Sequence, residues 1–179
     1  MTQPNYIWII GSPRSGTTFL TNLIGESTKY KFTEPWDLFP LGEQKHWNLP
    51  KDGTVVFKYC SNCWHYQEIN KCYPNSIWIQ IKRNPTSILY SLVFEKADSY
   101  PVRKFYFDNL ENKIKFAKAM QEDYLSQCDK VENKIIVKYE NIDYNLLEDK
   151  LKIKLDKKKF INRNKFYDKN KMKLLFKFL

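Results

Sequence analysis

From Tyr6 the chain reads YIWII, five apolar residues in a row, and the run stops at Gly11. A strand that alternates polar and apolar residues can leave one face in water, whereas one that is apolar at every position has to be covered on both faces. A glycine-bearing turn, GSPRSG, follows. Then TTFLTNLI, Thr17 to Ile24, sets Phe19, Leu20, Leu23 and Ile24 at helical spacing, with Gly25 as the stop. A doubly buried strand that turns directly into a helix is the first half of a βαβ unit, and it restricts the chain to a parallel sheet with helices packed on its two sides.

The same alternation recurs downstream. TVVFKY (Thr54 to Tyr59) and SIWIQI (Ser76 to Ile81) read as further buried strands, with a short helix between them over Cys63 to Cys72. Pro85 opens a helix that runs to Phe94, since proline suits the first helical turn. The longest helix is expected over Asp108 to Cys128, with Leu110, Ile114, Phe116 and Ala117 on one side, and KIIVK (Lys134 to Lys138) is a last strand. Parallel strands joined by right-handed crossovers give a three-layer α/β/α, P-loop-like domain with a central parallel sheet, and ligands in such sheets lie beyond the carboxyl ends of the strands. The 179 residues suit one domain, residues 1–179, which carries a lysine-rich C-terminal extension from about residue 150.

Charge narrows the partners. The formal net charge is +10, and Leu151 to Leu179 holds eleven Lys or Arg against Asp156 and Asp168, leaving the rest nearly neutral. Such a segment fits a polyanionic ligand, a nucleic acid, or simply a solvated face; nucleic acid is the weaker expectation. There is no apolar run of membrane-spanning length, and MTQPNYIWIIG lacks the basic stretch and cleavage site of a signal peptide, so the expectation is a cytoplasmic protein without a membrane span. Cys60, Cys63, Cys72 and Cys128 are few for a disulfide scaffold. Cys60, Cys63, His65 and Cys72 are zinc-ligand types, but one CxxC lacks the second half of the usual pattern, so buried free thiols and no metal are expected.

Gly11 to Thr18, GSPRSGTT, has the glycine spacing of a Walker A loop in the right strand-to-helix context, but Thr17 stands where a nucleotide triphosphatase needs lysine. The backbone cradle for an anion is kept, the lysine for a γ-phosphate is lost, and Arg14 supplies a positive charge from within the loop. SPRSGTT resembles the 5′-phosphosulfate loop of sulfotransferases that use 3′-phosphoadenosine 5′-phosphosulfate (PAPS), closer to the bacterial and tyrosylprotein types than to the cytosolic small-molecule type. IKRNPTSILYSL, from Ile81, resembles the same family's 3′-phosphate motif, an Arg after a strand and a Ser eight residues later, here Arg83 and Ser91. An arginine and a hydroxyl on facing elements can clamp one phosphate.

The resemblance implies that PAPS is held by Ser12, Pro13, Arg14, Ser15, Gly16, Thr17, Thr18, Phe19, Arg83 and Ser91, with adenosine 3′,5′-bisphosphate as product. Phe19 would touch the adenine, or be a core residue. It further implies Glu34, in FTEPW, as the base that takes the acceptor's proton, with Glu26 as fallback. Lys58 would neutralise charge on the bridging oxygen, alongside Arg14. Cys60 occupies the position at which cytosolic enzymes carry a histidine base, which favours Glu34. The expected acceptor is a small molecule, carbohydrate or peptide whose pocket draws on residues 35–50 and 95–107. The family's glycine-containing C-terminal segment has no clear copy; Arg163 and Lys165 are its candidate replacements, and KYENI (Lys138 to Ile142) resembles a family strand end without assigned chemistry. The competing readings are a P-loop phosphotransferase and a basic nucleic-acid binder without enzymatic activity.

Overall fold

The computed structural model describes residues 5–28, 30–33, 53–58, 60–95, 109–156 and 167–179. Five strands form one sheet: β1 (Asn5–Ile10), β2 (Tyr30–Thr33), β3 (Thr54–Lys58), β4 (Ser76–Lys82) and β5 (Ile135–Lys138). Their order is β2-β3-β1-β4-β5 and every neighbouring pair is parallel. The helices are α1 (Thr17–Gly25), α2 (Tyr66–Cys72), α3 (Pro85–Phe94), α4 (Leu110–Asp129), α5 (Tyr144–Leu151) and α6 (Lys169–Phe176). The chain is thus a three-layer α/β/α domain built on a parallel sheet.

β1 is central because nothing in it tolerates water. Tyr6 to Ile10 are each no more than 8% exposed, and at about 1.5–3 kcal/mol per buried side chain this one strand contributes roughly 10 kcal/mol before the loss of chain entropy. On one face Ile7, Ile9, Val56, Ile79 and Ile81 pack with Leu20, Leu23 and Ile24 of α1 and Leu147 and Leu151 of α5. On the other, Trp8, Ile10, Val55, Phe57 and Trp78 pack with Cys63, Ile69, Cys128 and Val131. A third cluster joins α3, α4 and α6 through Leu89, Leu92, Val93, Ile114, Ala117 and Leu175.

Three elements go beyond the sequence expectation. β2 is a four-residue strand paired to β3, with Thr33 in register with Lys58. α5 starts where the Asp143 side chain accepts from Leu146 N, and α6 where Asp168 accepts from Asn170 N and Lys171 N. The helix expected over Cys63 to Cys72 is shorter: Cys60–His65 forms a 3₁₀ turn, and α2 begins only at Tyr66. The Cys63 thiol bonds back to Cys60 O (3.2 Å) within that tighter turn.

Strand order places β1 between β3 and β4, where connections depart in opposite directions along the sheet. The loop after β1 therefore opens at the topological switch point, where the crevice of an open α/β sheet forms.

Candidate functional site

Ser12 to Ser15 is a tight turn closed by Ser15 N donating to Ser12 O (3.0 Å). Pro13 fits its second position, and Arg14 takes the third with φ 69°, a left-handed value that glycine adopts most readily. Side-chain-bearing residues reach that region at a cost of about 1 kcal/mol. The surroundings hold Arg14 there: Arg83 Nη1 donates to Arg14 O (3.0 Å), and Arg14 Nε donates to Ser91 Oγ (2.7 Å).

Gly16 then caps α1 with φ 106°. A Cβ at this position would lie 2.4 Å from the Tyr139 ring, so the close approach of β5's end to the loop requires glycine. No side chain caps this helix, in contrast to the Asn84, Asn109, Asp143 and Asp168 caps of α3 to α6. The first amides of α1 thus retain the dipole end that attracts anions. Ser15 Oγ is buried with no hydrogen-bond partner, a donor within the loop that an anion's oxygen would satisfy. Ser12 is fully buried, its Oγ directed at Pro13 O (3.3 Å).

Thr17 is buried, with Oγ1 3.7 Å from Cys60 Sγ, while Thr18 is exposed. Phe19 is half-buried against the core, edge-on to Tyr139 at 5.8 Å between centroids. Of its two expected roles, core packing is the one this contact supports.

Lys58 is 3% exposed and ends β3, which has neighbours on both sides. It is therefore not a solvated edge-strand lysine. A buried ammonium is costly, and Lys58 stands at the carboxyl end of β3, two residues before Cys60, whose Sγ lies 3.7 Å from Thr17 Oγ1. Glu34 lies outside the described residues, as do residues 35–50, 96–107, Arg163 and Lys165. Glu26 is set aside as a base: it caps the C-terminal end of α1, roughly 13 Å of helix away from the loop.

Arg83 and Ser91 meet through Arg14. The Arg83 guanidinium sits over the Tyr139 ring at 4.7 Å, and its Nη2 donates to Tyr167 OH (2.7 Å). Burial raises the Tyr139 phenol above its ordinary value despite the opposing charge of Arg83. Tyr167 is itself packed edge-on to Tyr90, whose hydroxyl accepts from Asp168 N (3.0 Å). Glu140, from KYENI, accepts from Asn84 N (2.8 Å) and ties the end of β5 to the turn before α3.

Ser91 is buried, and its Oγ donates to the Glu95 carboxylate (2.6 Å), which also accepts from Arg14 Nη2. Sequence reasoning missed Glu95, Tyr139 and Tyr167 as site residues. Glu95 had a local signal, standing four residues beyond Ser91 on the same helical face. Tyr139 and Tyr167 had only their places in KYENI and the basic run NRNKFYDKNK.

The thiols form no metal set. Among the described residues no group of three or more His, Cys, Asp or Glu is arranged to hold a metal ion. Cys72 is exposed, whereas Cys63 pairs with Cys128, and that hydrogen bond together with burial pushes the Cys63 thiol up. Among the described residues no helix is long and apolar enough to cross a membrane. Comparison with models of known families and with curated proteins yields no match.

Proposed function

We propose that the chain is a sulfotransferase that moves the sulfuryl group of PAPS to an acceptor hydroxyl or amine. The observation that carries this reading is the 2.7 Å hydrogen bond from Arg14 Nε to Ser91 Oγ. It joins two phosphate-type motifs 77 residues apart into one site at the carboxyl edge of the sheet, where the switch-point geometry favours a nucleotide. The unpartnered Ser15 hydroxyl and the uncapped start of α1 fit the 5′ end of such a donor. Arg83 and Ser91 fit its 3′-phosphate.

When bound, the donor supplies an activated sulfuryl group on a phosphate leaving group. The acceptor oxygen or nitrogen forms the new bond to sulfur, the bond from sulfur to the bridging phosphate oxygen breaks, and the acceptor's proton passes to Glu34. Glu34 follows Thr33, the register partner of Lys58, so it is the next residue after a strand that ends level with that lysine. Lys58 and Arg14 offset the charge that grows on the leaving phosphate. The acceptor class stays as broad as a small molecule, carbohydrate or peptide, and a cytoplasmic location is part of the proposal.

Calorimetric titration with adenosine 3′,5′-bisphosphate, with ATP and AMP as controls, tests this on the wild type and on Arg83→Ala. Binding that needs both phosphates and falls at least tenfold in the variant, with its thermal unfolding still cooperative, is the expected result. Equal preference for ATP, or no binding, favours instead the phosphotransferase or nucleic-acid readings.

A further inference from the structure

Ser91 has one proton to give, and it gives it to Glu95. The Glu95 carboxylate accepts from Ser91 Oγ (2.6 Å) and Arg14 Nη2, while Ser91 Oγ accepts from Arg14 Nε (2.7 Å), closing a ring of three hydrogen bonds. The Arg14 and Glu95 side chains are 27% and 15% exposed, and Ser91 is buried. An anion arriving at Ser91 in this state meets a hydroxyl whose hydrogen is committed, an arginine already neutralised, and a carboxylate within the same few ångströms. Two anions do not share one hydroxyl and one guanidinium at that burial without strong repulsion.

We propose that Glu95 sets the selectivity of the Ser91 subsite: it is a resident anion that the nucleotide's 3′-phosphate has to displace. The inference rests on the sulfotransferase reading given above and adds to it a residue that limits how much the 3′-phosphate contributes to affinity. Displacement is mechanically simple. Glu95 is the first residue beyond α3, with extended backbone (φ −82°, ψ 142°), so its side chain can turn away without unwinding the helix. Once it leaves, the Ser91 hydroxyl and two guanidinium N–H groups become available together. Arg14 is the partner of both the loop turn and this ring, so exchange at Ser91 is felt at the 5′ end of the site.

The test compares wild type with Glu95→Gln and Glu95→Ala by calorimetric titration against adenosine 3′,5′-bisphosphate and adenosine 5′-monophosphate. Gln retains the acceptor for Arg14 and Ser91 and removes only the charge. In the variants bisphosphate binding tightens on the order of tenfold while monophosphate binding changes little, so the ratio of the two affinities widens. Unchanged or weakened bisphosphate binding in both variants, with native circular dichroism, overturns the role of Glu95 and leaves the sulfotransferase reading standing. Failure of the wild type and both variants to bind bisphosphate overturns both. On the wild type itself, the Arg14 Nε–H resonance shifts further with bisphosphate than with monophosphate; equal response to the two ligands also counts against displacement.

Discussion

Arg14 bends the backbone one way and reaches with its side chain another, and the two roles separate by substitution. Its φ of 69° favours glycine, whereas its guanidinium serves Ser91 and Glu95. Arg14→Gly is therefore expected to be more stable than Arg14→Ala by about 1 kcal/mol in urea denaturation, with both variants losing bisphosphate binding. Equal stability of the pair would mean that the turn relaxes around residue 14. Gly16 admits no such freedom. Gly16→Ala meets both a left-handed φ of 106° and the Tyr139 ring, and a loss of about 2 kcal/mol or more is expected from its denaturation midpoint. At this scale the local geometry was legible in the sequence, since Ser12 to Thr18 form one turn and one helix start. It was silent about their cross-chain partners: Arg14 to Glu95 spans 81 residues, and Arg83 to Tyr167 spans 84.

Elements buried on both sides were legible because burial leaves a continuous apolar run, as in β1 and β4. β2 was not, because YKFT is short, sits at the sheet edge and exposes Lys31. α5 and α6 did carry start signals in Asp143 and Asp168, but the first was passed over between KYENI and the extension, and the lysines around the second made its stretch read as part of a solvated extension. Capping also yields a prediction, for the Asn84 side chain accepts from Ser87 N (3.1 Å) at the start of α3. Asn84→Ala should cost about 1 kcal/mol and weaken the hold on Ser91. The turn from α2 into β4 has its own signature. Tyr73 lies 4.8 Å from the Tyr6 ring, and burial, helped by Cys72 and Tyr6, lifts its phenol from 10.0 to about 12. A folded-state value above the unfolded one stabilises fully below pH 10 and is lost as pH climbs through about 12. Melting temperatures measured from pH 8 to pH 12 should thus fall less steeply in Tyr73→Phe than in wild type, and identical slopes would place the alkaline transition elsewhere.

Across the whole molecule, the basic C-terminal stretch returns to the fold. Leu175 is fully buried in the α3–α4 cluster, with Met172 and Tyr167 packed against it. A chain ended after Asp156 loses that cover and the Tyr167 anchor of Arg83 together. It should melt several degrees lower and bind bisphosphate as poorly as Arg83→Ala, whereas a mere solvated tail would leave both properties intact. The aromatic core has a different use. Trp8 is stacked 4.3 Å from Phe57 and 5.7 Å from Trp78, and both tryptophans are dry. Two indoles that close share their electronic excitation, so the dichroism in the strong far-ultraviolet band of indole should contain a pair of opposite signs that vanishes in Trp78→Phe. Because Trp8 is two residues from the last residue of β1, the molecule contains an intrinsic optical reporter of the strand that feeds its loop.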